Sequence, residues 1–179
     1  MLKTKKKSHT MLVNGKLKVI ALTVTFNLIF ISFISQKYND KYVNNSEIEC
    51  VAVGNQDTKL IKVWVLVKNP NKAVDQAKLN AIHGMIFNGA SGKCNIKPIS
   101  INPNAEQEKR LFFNKFFSKN GEYLRFINNS SVKINPNDRL KIIGSYKIGV
   151  QLSVNYTLLS NYLIKNKIIK SYNDFFKKT

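Results

Sequence analysis

The chain has 179 residues, room for one domain plus a leader or tail. Hydrophobic residues make up 44% of it, which excludes global disorder. The formal charge is +19, but 26 of the 29 basic residues are Lys, which lacks the planar fork Arg uses on phosphates and bases, so the charge argues weakly for a dedicated nucleic-acid binder.

Residues 1–18, MLKTKKKSHTMLVNGKLK, hold six Lys and no acid. Residues 19–35, VIALTVTFNLIFISFIS, are apolar apart from Thr, Ser and Asn27, and polar QKYNDKYVNN follows. A basic start, an apolar centre and a polar flank predict a secretory signal over 1–35. The alternative is an N-terminal anchor that stays on, although the run is short of the roughly 20 apolar residues a membrane helix needs. Ser35-Gln36 is the candidate cleavage junction, with Phe33 departing from the small residue expected at −3, and Met11 is an alternative start. No Cys follows the apolar run, so a lipoprotein anchor is not expected. Without residues 1–35, 23 basic and 10 acidic residues remain. That surplus suits screened attraction to an anionic lipid or polymer surface.

Residues 36–46 read as a linker, 47–170 as a domain and 171–179 as a basic tail. The domain opens with IECVAVGNQDTKLIKVWVLVKN (48–69), two β-rich runs around a turn at Gly54-Asn55-Gln56-Asp57. In the second run Ile61, Val63, Val65 and Val67 share one face, and Lys62, Trp64, Leu66 and Lys68 the other. NKAVDQAKLNAIHGMIFNGASG (71–92) predicts a helix capped by Asn71, with Asp75 in its first turn and Gly89 and Gly92 leading out. Ala73, Ala77, Ala81 and Gly84 form a stripe of small residues that lets the helix lie close against a sheet.

CNIKPISINPN (94–104) is a short extended stretch. A second helix starts at Asn104, with Gln107 three residues on as in a capping box, and Glu106 and Glu108 in the first turn. Its Phe112, Phe113, Phe116 and Phe117 stand on one helical face, a spacing that predicts burial rather than base stacking. SSVKINPNDRLKIIG (130–144) carries a turn signal at Asn135-Pro136-Asn137-Asp138, with an extra strand to be placed within 132–143. SYKIGVQLSVN (145–155) alternates, with Tyr146, Ile148, Val150, Leu152 and Val154 facing one way. YTLLSNYLIKNKII then forms an amphipathic helix with Leu158, Leu159, Tyr162 and Leu163 inside. The order β-β-α-α-β-α predicts an α+β fold, one mainly antiparallel sheet with helices packed on one face.

Signatures of chemistry are sparse. His9 lies in the leader, which leaves His83 as a packed or half-exposed helix residue. Glu47/Glu49 and Glu106/Glu108 read as solvated or dipole-favouring. GASGK lacks the full phosphate-loop spacing and reads as a helix-ending turn. No metal, nucleophile or acid–base constellation stands out, so neither a cofactor nor an enzyme is expected.

The hairpin, AVDQAKLNAIHGMIFNG, CNIKPI, FFNKFFSKNGEYLRF, YKIGVQLSVN and LLSNYLIKNKII, taken in that order over roughly 48–170, resemble a group of uncharacterised exported proteins of Bacteroidota. The Ala-spaced helix after a hairpin, with the late strand leading into LL…L, is also similar to envelope domains of the flagellar-assembly-protein-T N-terminal type. These resemblances imply a periplasmic or envelope location, other envelope proteins as partners, and an assembly or accessory role; no catalytic residue comes with them. The alternatives are an inner-membrane-anchored protein with the same domain outside the cytoplasm, and a basic nucleic-acid-binding protein. Cys50 and Cys94 are the only cysteines. An even count in an exported chain permits one bridge between them. The competing expectation is a pair of buried thiols acting as small hydrophobes.

Overall fold

A computed structural model of the chain describes residues 46–170. The expected leader, nearly all of the linker and the basic tail lie outside these residues. The fold is α+β. Strand β1 (Ile48–Val53) and strand β2 (Thr58–Val67) form the hairpin read from the sequence, joined by a single 3-10 turn at Asn55–Asp57. Helix α1 (Ala73–Phe87) follows, then the two-residue strand β3 (Ser91–Gly92). Short helices α2 (Ala105–Glu108) and α3 (Arg110–Phe116) lead through a 3-10 segment, Glu122–Phe126, into β4 (Ile127–Ile142), β5 (Ser145–Asn155) and helix α4 (Tyr156–Lys165).

The sheet order is β3-β1-β2-β5-β4. Its spine is the antiparallel β2–β5 ladder, which runs unbroken from Thr58↔Asn155 to Val67↔Tyr146. β1 pairs antiparallel with β2, and β4 with β5, while β3 pairs parallel with β1. One short parallel pair makes the sheet mixed.

Strand alternation sends Ile61, Val63, Val65, Ile148, Val150, Leu152 and Val154 to a single buried face. All four small-stripe residues of α1 are buried. The stripe has a contact reason: a Cβ on Gly84 would run into Ile48 Cδ1 of β1. Another side of α1 carries His83 and Phe87, which meet the aromatic layer: Phe87 lies 5.3 Å from Phe113 and His83 5.8 Å from Phe117, ring centre to ring centre. The helix thus has neighbours on two sides, and Leu79, Ile82, Met85 and Ile86 are buried as well. Phe113, Phe116 and Phe117 are buried, as their helical spacing predicts, and Phe112 packs at the edge against Tyr162. Each fully buried side chain of this size contributes roughly 1.5–3 kcal/mol.

Five local expectations are corrected. First, Asn71 does not cap α1. It sits inside a 3-10 turn, Pro70–Lys72, whose cap is Asn69, the side chain of which accepts from Asn71 N at 3.0 Å. Second, the aromatic helix is broken at Lys109, and Asn104 makes no side-chain cap. Asn102 makes a turn just ahead of it instead: its Oδ1 accepts from Asn104 N (2.9 Å) and its amide donates to Glu108 (3.0 Å), so the box expected at Asn104–Gln107 is not built.

Third, the turn signal at Asn135–Asp138 does not reverse the chain. These residues bulge out opposite Gly149, between the pairs Ile134↔Val150 and Arg139↔Ile148. Asn135 Oδ1 accepts from Asn137 N (3.0 Å), so the local turn chemistry survives inside a strand. An edge strand tolerates Pro136 because no ladder bond is required of it. The reversal falls at Ile143-Gly144, where Gly144 has φ +72°. A matching bulge begins at Asn128, whose Oδ1 accepts from Ser130 N (3.1 Å). Fourth, α4 ends at Lys165 rather than running to Ile169, and Leu158 is half exposed, so its inner face is Leu159 and Leu163 with Tyr162 beside them. Fifth, GASGK does not simply end a helix: its Ser91-Gly92 is β3, laid against β1, where Gly92 at φ +120° leaves no room for a side chain above the Cys50 backbone.

Candidate functional site: the open face of the sheet

The helices cover one face of the sheet, and the other carries the residues that alternation turns outward. The β2–β5 register sets Trp64 opposite Gly149 and Leu66 opposite Lys147, and Lys147 is in turn opposite Leu140 of β4. Directly opposed residues share a face, so one continuous surface runs from Trp64 to the tip of the β4–β5 hairpin.

Gly149 is what lets the indole lie down. A Cβ there would come within 3.1 Å of Trp64 Cζ3, 3.2 Å of Cη2 and 3.1 Å of Asp138 Cβ. The indole Nε1 donates to Glu49 Oε1 at 3.0 Å. The ammonium groups of Lys62 and Lys147 lie 5.4 and 5.0 Å from the ring centre, within cation–π reach. Each is also paired with a carboxylate: Lys62 with Asp138 at 2.9 Å, and Lys147 with Glu47 at 3.2 Å. Glu47 and Glu49 are therefore partners in this cluster, not merely solvated as their sequence position suggests. The bulge that displaces Asn135–Asp138 brings Asp138 to Lys62, a contact the sequence pattern does not foretell.

Beyond the cluster the surface becomes apolar. Leu66, Leu140 and Ile142 are each about half exposed, and Ile143 at the hairpin tip is fully exposed. A row Leu66–Lys147–Leu140 crosses three strands. It is an apolar strip crossed by one lysine, whose ammonium is paired with Glu47.

Other residues singled out from sequence lie elsewhere. Cys50 and Cys94 are joined by a disulfide, Cα atoms 5.4 Å apart, beside the β1–β3 pairing. His83 Nε2 stands 3.1 Å from Glu106 Oε2, with both side chains largely buried, so the pair links α1 to α2. Glu106 is thus a partner of His83 rather than a solvated helix-start acid. At the domain's lower end Asp57 accepts from Lys59 and from Thr157, bonds that hold its carboxyl below the usual range. Tyr162 donates to Glu122 at 2.6 Å, and burial followed by that bond pushes its hydroxyl up to about 12. Among the described residues no cluster of three or more His, Cys, Asp or Glu is placed to hold a metal ion, and no helix is long and apolar enough to cross a membrane. Comparison of the chain with protein-family models, with curated proteins and with solved structures gives no match, so its geometry is what a functional reading has to rest on.

Proposed function

We propose that the chain is an exported, non-catalytic binding domain of the periplasm or cell envelope, with an assembly or accessory role, that holds another envelope protein against the open face of its sheet. The observation that carries the reading is the uncovered row from Trp64 through Leu66, Lys147 and Leu140 to Ile143. Exposed apolar side chains that adjoin one another across strands mark interaction surfaces more often than chance exposure does. The chemistry that fits is an apolar strip lying along Leu66, Leu140 and Ile143, since Lys147 is already paired with Glu47. The basic, then apolar, start of the chain and the Cys50–Cys94 bridge support the export part of the reading, because such bridges persist in oxidising compartments. A cleaved leader and a retained anchor place the domain on the same side of the membrane.

The test has two arms. A reporter active only outside the cytoplasm, fused after residue 40, is expected to be active; a cytoplasmic, unprocessed reporter would refute export. A photo-reactive residue at Leu140 is expected to give one discrete adduct in cells, abolished by Leu66→Glu. The same probe at Leu158, half exposed on α4, is the control. Equal adducts from both positions would sink the docking face.

A further inference from the structure

The end of the sheet at the β4–β5 turn gathers apolar side chains that packing does not use. Of the eight large apolar side chains exposed among the described residues, four stand here: Leu66, Leu140, Ile142 and Ile143. Strands β2, β5 and β4 meet at this end, with Val67 opposite Tyr146 and Tyr146 opposite Lys141. The reversal is two residues long, Ile143-Gly144, since Ile142 pairs with Ser145. Hairpins usually give such positions to Asn, Asp or Gly. Ile143 is instead fully exposed, and a Cβ on Gly144 would meet nothing within 4 Å, so the turn stands clear of the domain.

Charge around this tip has one sign. Residues 66–72 and 139–147 contain five basic side chains and no acid. Lys147 is taken up by Glu47. Lys68, Arg139 and Lys141 have no ion pair or side-chain hydrogen bond among the described residues. Cations on an edge strand also discourage pairing with another chain, which accounts for Arg139 and Lys141. It does not account for Lys68, which follows the inner strand β2, or for an isoleucine at the turn.

The tip alone offers a protein far less than the roughly 1,000 Å² that a specific interface buries. A fluid bilayer needs no complementary pocket: apolar side chains enter the acyl boundary while cations stay among anionic headgroups. We infer that the β4–β5 turn rests on an anionic lipid bilayer, with Ile142 and Ile143 entering it at headgroup depth and Lys68, Arg139 and Lys141 on the headgroups. This contact goes beyond the docking reading and does not depend on it. The row behind the tip, from Trp64 to Leu140, stays open to a protein held at the same surface.

The experiment places one fluorophore at a time on the full chain. Cys50 and Cys94 are joined, so Ile143→Cys supplies a single thiol for an environment-sensitive label, and Leu158→Cys, on α4, supplies the control. Vesicles of phosphatidylglycerol with phosphatidylcholine are compared with phosphatidylcholine alone. On the anionic vesicles the label at 143 is expected to shift to the blue and to be quenched by lipids brominated on the acyl chain, and the label at 158 to do neither. The apolar run 19–35 is common to both proteins, so the difference between them reads the tip. Lys68→Glu with Lys141→Glu, both at exposed positions, is expected to raise the lipid concentration for half of the shift at least tenfold, from roughly fivefold per cation. Lys119→Glu, also exposed, is expected to leave it unchanged. Equal shifts at 143 and 158, an undiminished shift on phosphatidylcholine alone, or equal losses from the paired substitution and Lys119→Glu would overturn the inference. A silent label at 143 beside a discrete protein adduct from Leu140 in cells would remove this contact and leave the docking reading standing.

Discussion

Truncating Phe113 to Ala tests the core reading of the aromatic helix most directly. The ring is fully buried, with Phe112 at 5.1 Å, Phe87 at 5.3 Å, Phe117 at 5.9 Å and Phe116 at 6.4 Å between ring centres. Removing a buried Phe side chain costs about 3–5 kcal/mol, the transfer of the ring plus the cavity it leaves. Four ring neighbours favour the upper half, since each well-placed aromatic pair adds about 0.5–1.5 kcal/mol beyond buried area. A domain of this size holds only about 5–15 kcal/mol in all. Leu111, two residues earlier and 84% exposed, is the internal control, and Leu111→Ala is expected to stay within about 0.5 kcal/mol of the parent. Urea unfolding followed by circular dichroism measures both. With a slope of about 1–3 kcal/mol per molar, Phe113→Ala lowers the midpoint by at least roughly 1 M while the slope stays put. An unchanged midpoint for Phe113→Ala, or an equal fall for Leu111→Ala, would refute burial as the purpose of the Phe spacing.

Three further outcomes are expected. Cys50→Ser with Cys94→Ser opens a loop of 44 residues' separation and costs about 4 kcal/mol by chain entropy; denatured, unreduced parent protein should take up no thiol reagent, and two reactive thiols per chain would rule the bridge out. Tyr162 has its hydroxyl raised to about 12, so the folded state holds the proton more tightly than the unfolded state; that contribution is complete below about pH 10 and is lost as pH rises toward 12, and Tyr162→Phe should flatten the alkaline loss of stability relative to the parent, with parallel curves counting against the Tyr162–Glu122 bond. Lys167→Gly relieves a left-handed residue that costs a side-chain-bearing residue roughly 1–2 kcal/mol, so the variant should melt higher, and a lower melting temperature would show that the Lys side chain holds the turn.

Periodicity made the sheet's two faces legible, because a two-residue repeat leaves Ile61, Val63 and Val65 no other way to be buried together. The stripe Ala73–Gly84 and the Phe pairs were equally plain, since both follow a helical repeat. What periodicity could not carry was pairing between distant segments. Nothing local to Asn135–Asp138 says that β5 will pass alongside and turn a reversal signal into a bulge. The same gap hides the open-face cluster: Lys62, Glu49 and Asp138 are unremarkable until three strands bring them around Trp64. Gly149 carried a faint signal, as a glycine interrupting a strand whose other outward residues are Lys147, Gln151 and Ser153, but its use, room for an indole, depends on what lies opposite. The Asn102 turn was missed because Asn104 stood at the more familiar capping distance from an acidic first turn. Helix α4 ends four residues before its apolar pattern does, a boundary that pattern alone does not mark.

The β2–β5 ladder joins segments far apart in the chain. A chain made or threaded N-terminus first presents β1, β2 and α1 long before β5, whose residues 145–155 come almost last among those described. Until they arrive β2 is an edge strand, and its Ile61, Val63 and Val65 have cover from α1 but no partner along one side, the condition under which strands recruit the wrong chain. The Cys50–Cys94 bridge needs only the first part of the domain. Both of its cysteines precede β4 and β5 in the chain, so the bridge ties β1 to the segment just after α1 and takes nothing from the later strands. β5 pairs along the whole length of β2 in the folded domain and separates it from β4, so the sheet cannot be complete without it. Contact over such separations is slow to form, and a chain cut short before residue 145 lacks Ile148, Val150, Leu152 and Val154, the β5 share of the buried face, and leaves the β2 edge unpaired.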